Sequence, residues 1–180
     1  MSESVTTFRC GQMLFIADPG LHAACVAARE MASRCKRSSI EAADLLLGVY
    51  YGARTETSEL LHMAVKDQAL DAACFTHWRS DLCGRGGAGG FGASGLAILA
   101  QAAELGMHYR APLEPEVALL TSADVAVALV NDDTVRAALR ASGVSEVYLR
   151  HVEAALRLQE RQPISLDVPS MTPPTSLLVH

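Results

Sequence analysis

Apolar positions along the chain recur mostly at three- and four-residue steps, the period of a helix with one buried face. Leu21, Ala24, Cys25, Ala28, Met31, Ala32 and Cys35 make the first such stripe. Asp18-Pro19 suits its start, an acidic N-cap followed by proline at the first helical position. A second helix is predicted from Glu41 to Tyr51, closed by Gly52, a third over Thr57 to Val65, and a fourth from Asp67 to Trp78. The second half repeats the plan. Ser94 opens a helix through Leu96, Leu99, Ala100 and Ala103 that Gly106 closes, and Ser122 opens one through Val125, Val127, Leu129 and Val130. Asp132 or Asp133 caps a third ending near Gly143, and Ser145 opens a last helix with Leu149, Val152 and Leu156. Strand signals of period two are absent, so the predicted fold is all-α, with no sheet.

Composition sharpens this picture. Half of the 180 residues are apolar but only 5% are aromatic, so alanine and leucine, both strong helix formers, fill most of the core. With 19% charged residues and a net charge of −5, the chain lacks the signature of disorder. It also lacks the basic field of a nucleic-acid binder. No apolar run approaches the ~20 residues that span a bilayer, and the start MSESVTTFRC is not a secretory signal. A soluble, cytoplasmic protein is expected. The five cysteines, Cys10, Cys25, Cys35, Cys74 and Cys83, show no paired spacing of a disulfide framework.

Glycine crowds into Gly84-Arg85-Gly86-Gly87-Ala88-Gly89-Gly90, a linker by composition, and four prolines mark the residues from Pro163 onward as an extended tail. Across the linker a faint repeat appears. Ile40-Glu41-Ala42-Ala43-Asp44-Leu45-Leu46-Leu47-Gly48-Val49 lies over Leu120-Thr121-Ser122-Ala123-Asp124-Val125-Ala126-Val127-Ala128-Leu129. Val65 to Leu70 likewise lies over Val144 to Leu149.

This doubled pattern resembles the N-terminal repeat domain of Clp-type AAA+ unfoldases. The first half carries it from Ala17 to Tyr50, with Ser38-Ser39-Ile40-Glu41-Ala42-Ala43-Asp44 as polar turn and helix start. The second carries it from Phe91, again over Thr121 to Val130, and through Thr134 to Leu139 and Gly143-Val144-Ser145, with about six extra residues around Ala111 to Glu116. The resemblance implies two pseudo-symmetric four-helix repeats packed into one bundle of about eight helices. The organisation expected is a loosely ordered N-terminus (1–13), a first repeat (14–83), the linker (84–90), a second repeat (91–161) and the tail (162–180).

The resemblance also implies a function: a non-catalytic interaction module of the Clp proteolysis and quality-control system, here free-standing, binding protein or peptide clients, adaptors, or a Clp unfoldase or protease. ATP binding is not expected, because no G-x-x-x-x-G-K-[ST] run occurs and the glycine-rich stretch precedes no strand. Nucleic acid, membrane and cofactor are not expected either. In family members that bind phosphoarginine, a glutamate of the T-E-H triplet holds the guanidinium. Ala43 and Ala123 stand at those positions, and a methyl group cannot make that fork of hydrogen bonds.

Candidate partner-binding residues are the basic run Arg34, Lys36 and Arg37, together with Ala43, Asp44, Ala123 and Asp124. Arg34, Lys36 and Arg37 also suit a solvated helix C-terminus, where cations favour the dipole. Tyr50-Tyr51, Trp78 and the tail's Leu177-Leu178-Val179 are candidate contacts as well. The alternative function is a small helical metal-binding sensor or enzyme built on Cys74, His77 and Cys83, which has only one tight ligand pair where structural zinc sites usually have two. None of the six histidines has the spacing of a catalytic signature, and Glu114 and Glu116 around Pro115 read as a solvated loop.

Overall fold

The structure, a computed structural model, describes residues 6–52, 56–64 and 90–160. Seven helices are present among the described residues: α1 (Pro19–Arg34), α2 (Ala42–Gly52), α3 (Glu56–Ala64), α4 (Ala93–Tyr109), α5 (Ser122–Asn131), α6 (Asp133–Ala141) and α7 (Glu146–Glu160). The helix expected over Asp67 to Trp78 lies outside the described residues, as do most of the glycine-rich linker and the tail.

Most helix boundaries follow local chemistry. Asp18 accepts the Leu21 amide at 2.6 Å and Pro19 starts α1. Asp132 takes the amides of Thr134 and Val135 and starts α6. Thr121, not Ser122, is the N-cap of α5, with Asp124 completing a capping box. Gly106 does not end α4. The helix runs on to Tyr109, because a small residue is needed there for packing rather than for a turn: a Cβ on Gly106 would lie 2.9 Å from Arg110 Nη2. Both α1 and α6 end in the same wrap. In α1 the Arg37 amide returns to the Ala32 carbonyl, and in α6 the Val144 amide returns to Leu139. The left-handed residue of that wrap is Gly143 after α6 but Lys36, at φ 55°, after α1.

The expectation of no sheet is overturned. Strands β1 (Thr7–Cys10) and β2 (Met13–Ala17) form a hairpin. β2 also pairs in parallel with β5 (Val117–Leu120), Leu14 opposite Val117 and Ala17 opposite Leu120. A second, two-stranded sheet pairs β3 (Ser39–Ile40) in parallel with β4 (Gly90–Phe91). Residues 14–17 and 117–120 are continuous apolar runs. Such runs are typical of parallel strands covered on both faces and carry no alternation to read.

The pairing is crossed. The strand leading into α1 lies beside the strand leading into α5, and the strand leading into α4 lies beside the strand leading into α2. The helix starts repeat the pattern: the Asp18 amide donates to the Leu120 carbonyl, and the Gly92 amide to the Ile40 carbonyl, each at 2.9 Å. Helices α2 and α5 form the centre. Every residue from Ala42 to Tyr50 and from Asp124 to Val130 is buried, which a one-sided helix would not allow. α1 lies closest on α2, through Ala24, Ala28 and Gly48, where a Cβ on Gly48 would stand 2.8 Å from Ala28 Cβ and against the Ala24 carbonyl.

Candidate functional site

The crossed strands bring helix starts together in two pairs: α2 with α4, and α1 with α5. Four of the seven candidate partner-binding residues sit at these junctions, and they are inside the molecule rather than on it. Asp44 is fully buried and bonded to buried Arg37, and its other oxygen accepts the Glu41 amide at 2.9 Å. Asp124 is fully buried and bonded to Arg110, and takes the amide and hydroxyl of Thr121 at 2.8 and 2.9 Å. Ala43 is fully buried and Ala123 half-buried. Arg34 and Lys36 remain exposed.

Each junction holds a second carboxylate that links the two helices. Glu41 accepts the Ser39 hydroxyl at 2.7 Å, the Ser94 hydroxyl at 2.5 Å and the Ser94 amide at 3.2 Å. It thereby caps α4, whose own N-cap is Gly92 and has no side chain to offer. Ser94 Oγ in turn accepts the Ala42 amide at 3.0 Å, capping α2. At the other junction Asp18 caps its own helix and also accepts the Ser122 amide of α5 at 3.3 Å.

The carboxylates respond differently to these surroundings. Burial raises the pKa of Asp18, only partly offset by the amides of Leu21 and Ser122, and nearby Asp124 pushes it the same way. Burial likewise raises Asp44, against the Glu41 amide and Arg37. At Glu41 burial acts upward too, but the Ser94 and Ser39 hydroxyls and the Ser94 and Gly95 amides outweigh it, and the pKa falls below its ordinary value. This arrangement supplies charge-assisted bonds at helix starts. Most of the donors that meet these carboxylates belong to helix starts, although Asp124 Oδ1 is buried without a hydrogen-bond partner.

Other reactive groups are quiet. Burial pushes the Cys25 thiol up to about 12, so it is not a thiolate at neutral pH. His22 Nδ1 lies 2.6 Å from the Thr6 hydroxyl and ties the hairpin to α1. His62 stacks on buried Tyr50 at 4.0 Å between ring centroids, with Tyr51 edge-on beside them. His108, His151, Glu114 and Glu116 are exposed. Among the described residues no group of three or more His, Cys, Asp or Glu is placed to hold a metal. Cys74, His77, Cys83 and Trp78 lie outside the described residues. Among the described residues no helix is long and apolar enough to cross a membrane.

Reading the sequence for sites missed Glu41, Ser94, Asp18 and Arg110. The capping box around Asp124 was the available signal. The partners of Glu41 and Asp18 were not readable, since Ser94 and Ser122 lie 53 and 104 residues away.

This mostly helical body has the fold of Clp-type N-terminal domains. It is similar to the N-terminal domain of the caseinolytic protease associated chaperone ClpD from Arabidopsis thaliana, with a TM-score of 0.59 and 15% identity over 81% of this chain and 94% of that one. It is also similar to the Hsp104 N-terminal domain from Candida albicans, with a TM-score of 0.56 and 13% identity over 81% and 93%. At such identities the likeness is one of fold. No family model matches the sequence, and no curated protein does.

Proposed function

We propose that this chain is a non-catalytic protein-interaction module of the Clp proteolysis and quality-control system. It works in the cytoplasm and receives protein clients, peptides or adaptors as an unfoldase N-domain would. The observation that carries the reading is the likeness in fold to two such N-domains, spanning nearly the whole of each. We propose further that the body is two pseudo-symmetric four-helix repeats. The crossed strand pairs and the two Arg–Asp pairs at the starts of α2 and α5 support this.

In this reading Arg37, Ala43, Asp44 and Asp124 hold the frame, Ala123 borders it, and Arg34 and Lys36 are left to meet a partner. Lys36 keeps a left-handed backbone that glycine adopts at lower cost, a kind of strain that clusters at functional positions. Affinity capture from the source cell with the full chain tests the function. Recovery of a Clp unfoldase, a protease subunit or their clients is expected, and recovery of none of them would sink the proposal.

A further inference from the structure

Helix α7 has two apolar faces. Leu149, Val152 and Leu156 are buried in the body, where α7 packs against α5 and α3. The opposite side also carries apolar residues, at the spacing of a helix stripe. Val147, Ala154 and Leu158 share this side with His151 at steps of four, three and four, and all are exposed, Val147 by 67% and Leu158 by 64%. The stripe runs ~16 Å at 1.5 Å per residue. A surface helix usually turns charge outward, so an outward stripe of this length indicates contact with something else.

The charge beside the stripe says what. Glu146 is the meeting point of three arginines: Arg136 and Arg140 from α6 at 2.5 Å each, and Arg150 at 3.9 Å. One carboxylate cannot neutralise three guanidiniums, so two positive charges are left over. Arg150 (76% exposed) and Arg140 (54% exposed) carry them into solvent. Arg157, further along, is matched by Glu153 at 2.8 Å. The surplus is local, because the whole chain is negative at −5.

We infer that the outer face of α7 is a docking surface for an acidic amphipathic helix. The partner's apolar side covers Val147, Ala154 and Leu158, and its carboxylates pair with Arg150 and Arg140. Arginine suits this role because its planar fork binds carboxylates in pairs. The inference rests on the interaction-module reading for the origin of the partner, but its surface stands on these residues.

The probe is a synthetic helical peptide of roughly four turns, with leucines at the spacing of the stripe and glutamates flanking them. Its counterpart has lysine at every glutamate. Titration into the full chain, followed by amide NMR, should show saturable binding of the acidic peptide with shifts centred on α7. The lysine peptide should bind at least ~10-fold more weakly, a difference of ~1.4 kcal/mol. Arg150→Glu and, separately, Val147→Ser should each weaken the acidic peptide ~10-fold while leaving thermal unfolding unchanged, since both side chains are exposed. No saturable binding, equal binding of both peptides, or shifts centred elsewhere overturns the assignment. So does binding to phosphatidylserine vesicles without binding to the peptide. Failure here leaves affinity capture to decide the broader function. Peptide binding without recovery of any Clp component would keep the surface and remove the function.

Discussion

The α2–α4 junction and the α1–α5 junction are made from the same parts: two helix starts, a buried Arg–Asp pair, and a second carboxylate spanning the gap. They differ in where that carboxylate stands. Glu41 reaches from the start of α2 to cap α4 and meets two hydroxyls as well as amides. Asp18 stays on its own helix, reaches α5 through one long amide contact, and faces Asp124 nearby. Burial therefore has opposite net results: it is outweighed at the shallower Glu41, which is easier to ionise than usual, and prevails at the deeper Asp18, which is harder. The balance between the donors aimed at a carboxylate and its depth sets the sign.

The largest break in the comparison should come from the ion pairs. Asp44→Ala and Asp124→Ala each leave a buried guanidinium without its partner, at about 3–5 kcal/mol. The Asp44 change should be the worse, because the Arg37 side chain is 6% exposed and Arg110 is 16% exposed and closer to water. Urea unfolding of both variants checks the order, and equal losses would remove the distinction. Gly48→Ala comes next, at about 1–3 kcal/mol for forcing a methyl between α1 and α2. The residue lying over Gly48 in the second half is Ala128, which is buried with its methyl accommodated. Ala128→Gly should therefore cost about 1–2 kcal/mol, from helix propensity together with the lost buried methyl.

Acid titration separates the bridging carboxylates by sign. Glu41 has a lowered folded pKa, so its contribution is complete above the ordinary 4.5 and lost as pH falls through the lowered value. Glu41→Gln should flatten the loss of stability that sets in as pH falls below the ordinary 4.5. Asp18 has a raised folded pKa, so the fold favours its protonated form. Its contribution is greatest below the ordinary 3.8 and declines as pH rises through the raised value. Asp18→Asn should remove that decline, and curves of stability against pH that shift in the same direction for both variants would refute the contrast. A smaller effect is expected at the end of α1, where Lys36→Gly should stabilise by about 0.5–1 kcal/mol through release of the left-handed lysine. The least response of all is expected from free phosphoarginine. With Ala43 buried and Ala123 a methyl, calorimetry should show no saturable heat, and low-micromolar binding would refute the substitution argument.

The helices were legible because their signals are local. Asp18-Pro19 and the alanine stripe placed α1, and the Ala-Asp-apolar repeat placed α2 and α5 as counterparts. The sheets were not, because Met13 to Ala17 and Val117 to Leu120 show no alternation, and each becomes a strand only by meeting the other. The candidate site was half legible. Asp44 and Asp124 lie at matching positions of the sequence repeat and were read as partner contacts, but a charged residue in a sequence looks the same whether it faces water or an arginine. Arg37 stands seven residues before its aspartate and Arg110 fourteen, so no common spacing announced the two pairs.

The crossed pairing also orders events in time. A ribosome adds roughly 5–20 residues per second, so Asp18 emerges some 5–20 s before Ser122, the amide 104 positions later that it is to hold. Until then β2 has its hairpin partner on one side and a bare edge on the other, with Phe15 uncovered. The helices of the first half can form during synthesis, but neither sheet can close until residues far downstream have arrived. During that interval the nascent chain presents an unpaired apolar strand to the surrounding chaperones.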